Sequence, residues 1–194
     1  MRRSDELTSR GARPAARRHG ALAAAGLLAL CLAAPAHAGD QGKRKVQVWT
    51  KYADGEGVTA VAHVAASPET ILNFIADGAR AHKLAPTTIK AKSLAKDGKC
   101  EKIHLTVRGL LSPFEIDTRR CRTAKGFHET MVSSEDFEAY DVEWTIQELG
   151  EGSLVSYRAL NVLSISVPQG MVVRESKKVM AKTMKNLIAA LDEG

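Results

Sequence analysis

The chain is poor in the patterns that mark most chemistries. There is no C-x-x-C and no H-x-x-x-H, and His63, His82, His104 and His128 stand far apart, so no local motif offers a metal its donors. No G-x-S-x-G elbow surrounds a nucleophile. Neither G-x-x-x-x-G-K nor G-x-G-x-x-G occurs, and Gly55-Glu56-Gly57 reads as a turn and not a phosphate cradle. No metal and no cofactor is implied. Aromatics make up only 5% of the residues, and none interleaves with the basic run Arg119-Arg120-Cys121-Arg122, so nucleic acid is not indicated. That run reads as a solvated strand end. After the first forty residues there is no long apolar run, no internal repeat and no low-complexity tract.

What is present begins with a three-part leader. Residues 2–18 carry six arginines against Asp5 and Glu6, Ala21–Ala33 carries no charge, and Pro35 precedes Ala36-His37-Ala38. A basic head, a short apolar core and an A-x-A site make a secretory signal peptide cleaved after Ala38. The apolar core is shorter than the roughly 20 residues that span a bilayer. Arg17-Arg18 leaves twin-arginine export open beside the general route. The expected product is periplasmic or secreted. Six positive and two negative charges leave with the leader, so the formal +6 falls to +2 and basicity loses its meaning. The organisation expected is a leader over 1–38, an extension with a possible strand over 39–57, and one ligand-binding domain over 58–194.

In that domain the alternation of apolar residues predicts strands. Val46–Tyr52 and Val58–Ala65 come first. Ser67-Pro68-Glu69 then starts a helix, with a capping hydroxyl, a proline in the first turn and an acid behind it. A second short helix is expected near Ala79–Leu84. Strands follow over Ile89–Leu94, Glu101–Arg108, Phe114–Arg119, Phe127–Val132, Phe137–Glu148 and Leu154–Leu163. Val167–Leu191 closes the chain as a long amphipathic helix, with apolar Val172, Val179, Met180, Met184, Leu187, Ile188 and Leu191 on one face. The plan is α+β: a curled antiparallel sheet of about six to seven strands around a long C-terminal helix, with two short helices after the first core strand.

These residues resemble the START superfamily, in the SRPBCC branch that groups polyketide cyclases with coenzyme-Q-binding proteins. The pieces that carry the resemblance are Ser67-Pro68-Glu69-Thr70-Ile71-Leu72-Asn73-Phe74-Ile75, Pro86, Trp144-Thr145-Ile146, Gly152-Ser153-Leu154-Val155-Ser156-Tyr157 and Val167-Pro168. It implies a helix-grip fold with an apolar cavity between sheet and helix. It also implies a lipid, quinone, polyketide or similar hydrophobic small molecule as ligand, or a cyclase or aromatase acting in the same cavity.

Strand parity and helical spacing name the cavity candidates. Ile103, Leu105, Val107, Phe114, Ile116, Tyr140, Val142, Trp144 and Tyr157 are expected from the sheet, and Met171, Val172, Met180 and Met184 from the helix. Tyr140, Tyr157, Arg158 and Asn161 are the groups that could carry a proton for a cyclase, against the reading that the tyrosines simply pack. Ile165, Val167, Met171, Val172 and Val173 could form a lid or fill core. Arg174, Lys178, Lys182 and Lys185 form a basic stripe, either a solvated face or a contact for an anionic membrane surface. If Leu110 and Leu111 centre the turn after Arg108, Cys100 falls opposite Cys121. Both then lie on the polar face, and a disulfide across the hairpin is expected. Three functions stand open: a carrier, an enzyme of the cyclase type, and an interaction module whose cavity is filled by its own side chains.

Overall fold

The computed structural model describes residues 47–53, 55, 57–109 and 112–193. The expected leader, residues 39–46 and the turn centre Leu110-Leu111 lie outside the described residues. Among the described residues, eight antiparallel strands form one sheet: β1 (Val48–Ala53), β2 (Gly57–Val64), β3 (Thr88–Asp97), β4 (Cys100–Val107), β5 (Phe114–Arg122), β6 (Gly126–Ser133), β7 (Phe137–Leu149) and β8 (Gly152–Leu163). Their spatial order is β1-β2-β8-β7-β6-β5-β4-β3. Two short helices, α1 (Pro68–Phe74) and α2 (Gly78–His82), follow β2, and α3 (Gln169–Asp192) ends the chain. The sheet curls about α3 as expected, with eight strands where about six to seven were expected in the domain. The strand read in the extension over Val46–Tyr52 is β1, which pairs along β2 from Val48↔Ala62 to Ala53↔Gly57.

Local signals explain the elements. The Ser67 hydroxyl accepts from Thr70 N–H at the start of α1, and Pro68 occupies its first position. The Asp77 carboxylate does the same for α2, accepting from Arg80 N–H. Pro168 stands just before α3, as its cap. Gly57 has φ +83° and lies so close to β8 that a Cβ would meet Ala159 O at 2.2 Å. Only glycine satisfies both demands. The register Cys100↔Cys121 and Val107↔Phe114 is the one the sequence predicts for the β4–β5 hairpin, and Cys100 and Cys121 are joined in a disulfide.

Two apolar cores result. The larger one packs Val58, Ala60, Ala62 and Val64 of β2 and Val155 of β8 against Ile71, Ile75 and the α3 residues Met180, Met184, Leu187 and Ile188. The smaller one gathers Ile103, Leu105, Phe114, Ile116 and Phe137. The two halves of α3 differ sharply. The second half is pinned by that core, and Asn186 Nδ2 donates to Leu84 O at 2.7 Å. The first half has no buried residue before Met180, and Met171 is 41% exposed. Strand β3 is an exposed edge carrying Lys90, Lys92 and Lys96, charges that discourage further strand pairing.

Candidate functional site

A groove of about 330 Å³ opens beneath the first half of α3, between the two cores. That volume lies within the range of small-molecule sites. Leu105 and Val107 of β4 and Phe114 of β5 form one wall, while Phe137, Tyr140 and Val142 of β7 continue it. Tyr157, Ala159, Asn161 and Leu163 come from β8. Val167, Met171, Val172, Ser176 and Val179 form the roof. Small Ala159, between Tyr157 and Asn161 on the same face, leaves room that a larger side chain would occupy. A second opening of about 370 Å³ lies on the other side of the helix, towards Tyr52 and Gly57, and shares Ala159, Asn161, Leu163, Val167, Val172 and Ser176 with the first. The first half of α3 therefore bridges open space on both sides.

Of the cavity candidates read from the sequence, the structure places Leu105, Val107, Phe114, Tyr140, Val142, Tyr157, Met171 and Val172 on the groove wall. Five others lie elsewhere. Ile103 and Ile116 are wholly enclosed in the smaller core. Met180 and Met184 pack in the larger core. Trp144 stands behind Tyr157, with the rings stacked at 4.2 Å. Arg158, considered as a proton carrier, points to the outer face, where it pairs with Asp141 and Glu143. Strand parity carries the reason, since Arg158 alternates with inward Tyr157 and Ala159.

The larger correction concerns Arg120. It is not a solvated strand end but 3% exposed, sharing the inner face with Thr118. Around it lies a buried polar cluster that the sequence reading did not assemble. Glu129 of β6 receives His82 Nε2 at 2.9 Å on each carboxylate oxygen, and Arg120 Nε stands 3.7 Å from it. Arg120 donates to Ile75 O at 2.8 Å and lies over the Phe127 ring at 3.9 Å. Glu101 Oε2 accepts from Gly78 N–H at 3.1 Å. Burial opposes the charge on Glu129, but the His82 imidazole, the Thr118 hydroxyl and the Arg120 guanidinium together hold its carboxyl below the ordinary value. Burial likewise pulls Arg120 down, against the opposing pull of Glu129 and Glu101.

This cluster reaches the groove through His82, which is on its wall. The wall tyrosines feel it too. Burial, and then the charge of Glu129, raise the hydroxyls of both Tyr140 and Tyr157 above the usual phenol value, so both remain protonated donors at any physiological pH. The inner wall is thus mainly apolar, with His82, Tyr140, Tyr157 and Asn161 among its polar groups and Thr87 and Thr88 beside them. Charged Arg108 and Glu175 stand at the exposed rim. On the roof, Glu175 contacts Lys178 at 2.9 Å and Arg174 at 3.5 Å, so half of the basic stripe has an acidic partner. Lys182 and Lys185 are exposed farther along.

Parity would have added Phe137, Ala159 and Leu163 to the sequence candidates. His82 gave no signal, because a five-residue helix has no period to read.

Comparisons with known proteins accord with this architecture. A family model described as polyketide cyclase / dehydrase and lipid transport matches residues 64–189. Among curated proteins none matches the sequence. Among solved structures, a START superfamily protein from Mycobacterium smegmatis superposes with a TM-score of 0.64 at 20% identity, covering 72% of this chain and 99% of that one. The STAR-related lipid transfer protein from Xanthomonas axonopodis gives 0.62 at 12% identity, over 77% of this chain and 94% of that one. The Zhui aromatase/cyclase from Streptomyces sp. R1128 gives 0.52 at 12% identity, over 75% and 92%. At these identities the likeness establishes the fold.

Proposed function

The chain belongs to the polyketide cyclase / dehydrase and lipid transport family, and from that premise we propose that it is an exported carrier which holds a hydrophobic small molecule in the groove under α3. The observation that carries this reading is the groove itself. Leu105, Val107, Phe114, Phe137, Val142 and Leu163 give it an apolar wall, and the first half of α3, which has no buried residue before Met180, gives it a roof. Apolar surface removed from water there contributes about 25 cal/mol per Å² to holding a ligand. A similar structure that is a lipid transfer protein supports the carrier, while one that is an aromatase/cyclase supports the second reading.

The leader supports export. The site of action would be the periplasm or outside the cell, with mature protein starting at Gly39. Loading from a membrane fits the exposed Ile165 and Met171 beside the groove and the stripe of Arg174, Lys178, Lys182 and Lys185. Each cation near an anionic surface contributes about 1 kcal/mol.

The second reading is a cyclase-type enzyme, and His82 favours it. An imidazole backed by a buried carboxylate, on a groove wall beside two tyrosines, is an arrangement able to move a proton. The test is to express the full chain with its leader and recover it from the periplasm. Organic extracts and native mass spectra should then show a bound apolar molecule, and intact mass should begin at Gly39. Protein that carries nothing and takes up no Nile red would overturn the carrier. Retention of Arg2–Arg18 would overturn cleavage of the leader.

A further inference from the structure

We propose that the groove selects an apolar molecule whose buried end carries one uncharged oxygen, a carbonyl or a hydroxyl, held by Tyr140, Tyr157 and Asn161. This rests on the reading of the groove as a ligand site and deepens it. Tyr140 and Asn161 are direct partners across β7 and β8. Tyr157 lies on the same face of β8, past Ala159, and all four residues line the groove. Asn161 Oδ1 is buried without a hydrogen-bond partner among the described residues. Neither tyrosine hydroxyl bonds to a described residue either.

Three polar atoms left open on one stretch of an apolar wall are costly once a ligand excludes water. A ligand that supplies an oxygen removes the penalty, and one that supplies only hydrocarbon enlarges it. A carbonyl oxygen accepts from both phenols. A hydroxyl accepts from a phenol and donates to Asn161 Oδ1.

The charges behind the wall argue that this oxygen is neutral. Glu101 and Glu129 are buried there with Arg120 as their buried cation, and His82 brings that cluster to the wall. Among the buried groups there, two carboxylates face one guanidinium. Glu129 already opposes loss of a proton from either tyrosine. A ligand carboxylate placed against those hydroxyls meets the same field. Arg108, the cation at the rim, is on the exposed side and does not offset it.

The test uses four probes of one shape, titrated by calorimetry against the mature protein: 2-acetylnaphthalene, 1-(2-naphthyl)ethanol, 2-ethylnaphthalene and 2-naphthoate. The expected result is that the ketone or the alcohol binds about tenfold or more tighter than 2-ethylnaphthalene, the discrimination of one or two buried hydrogen bonds. Which of the two leads tells carbonyl from hydroxyl. The combined substitutions Tyr140→Phe and Tyr157→Phe, checked for folding by circular dichroism, should reduce that ratio to near one. Asn161→Ala, read in the same way, serves if the pair does not fold, and should lower the preference for the alcohol.

Equal binding of the ketone, alcohol and ethyl probes overturns the oxygen subsite while leaving the apolar groove standing. Tightest binding by 2-naphthoate overturns the claim of neutrality. A preference that survives the tyrosine substitutions overturns their assignment. If none of the four binds, the reading of the groove as a ligand site falls, and this proposal falls with it.

Discussion

Glu129→Gln isolates what the buried cluster contributes. The two side chains have nearly the same volume, so no cavity term enters. The carboxylate is 2% exposed, lies 2.9 Å from His82 through both oxygens, and faces a guanidinium that is itself 2% exposed. The amide keeps a hydrogen bond to His82 and loses the charge. Arg120 is then left with Glu101 as the only buried anion of its cluster. Breaking a buried ion pair by removing one partner costs about 3–5 kcal/mol, because the remaining charge stays desolvated. Against a total stability of about 5–15 kcal/mol, that is a large share. Glu143→Gln is the control. Its pair with Arg158 is 3.4 Å long with Glu143 46% exposed, and exposed pairs contribute about 0–1 kcal/mol.

Equilibrium urea unfolding at pH 7 measures both variants, with unchanged m-values required for the comparison. The double variant Arg120→Gln, Glu129→Gln should lose less than the two single losses added together. The pH dependence supplies a second readout. Glu129 has a folded value below its ordinary 4.5, so its contribution is present above 4.5 and is lost as the pH falls through the lower, folded value. The glutamine variant should lack that part of the acid slope. A loss under about 1 kcal/mol for Glu129→Gln, or one equal to that of Glu143→Gln, would refute the claim that this cluster is a tightly held ion network.

Three further outcomes are expected. Leu105→Asp, at a buried position on both the smaller core and the groove wall, should abolish folding or ligand uptake. Thr106→Asp, on the outer face, should cost no more than about 1 kcal/mol even though it faces Glu115; equal tolerance by thermal melts would mean that the faces are reversed. Gly57→Ala should lower the unfolding free energy measured in urea by more than about 1 kcal/mol, since it meets both the positive φ and the Ala159 carbonyl, and an unchanged midpoint would contradict the close approach. Replacing Cys100 and Cys121 by serine opens a loop with a sequence separation of 21, which the chain-entropy model values at about 3 kcal/mol. Two titratable thiols in denatured, unreduced wild-type protein would remove the bridge itself.

The sequence is most legible where period and polarity agree. In β4, Ile103, Leu105 and Val107 alternate with His104 and Thr106, and a turn centred on Leu110 and Leu111 keeps both faces consistent. The Cys100–Cys121 pairing follows from that centre together with the alternation. It fails where polar residues sit on an inward face. Glu101 has the parity of Ile103, Arg120 that of Thr118, and Glu129 that of Phe127, so alternation marks all three as buried. Their types argue for solvent. For Arg120 residue type points to the wrong face, because its guanidinium is met by the buried carboxylates of Glu101 on β4 and Glu129 on β6. No single strand contains that information. His82 joins them from a helix too short to show a face.

The groove was hidden for a different reason. Along α3, Val172 and Val179 continue the same apolar stripe as Met180, Met184 and Leu187, and a stripe does not say where its counterpart ends. The larger core stops near Met180, and the β4–β5 wall lies farther away. Val172, Val179 and Met171 are therefore left over open space, although each would add about 1.5–3 kcal/mol if fully buried. The fold forgoes that stability on the half of the helix that roofs the groove and keeps it on the half that anchors the chain. A ligand that fills the space returns it, so binding and folding are linked: at a concentration of 100 Kd a ligand should add about 2.7 kcal/mol to the stability of the protein. Filling the same space from within, by Val179→Phe, should raise the melting temperature and lower Nile red uptake together. A rise in both would place the ligand somewhere other than under α3.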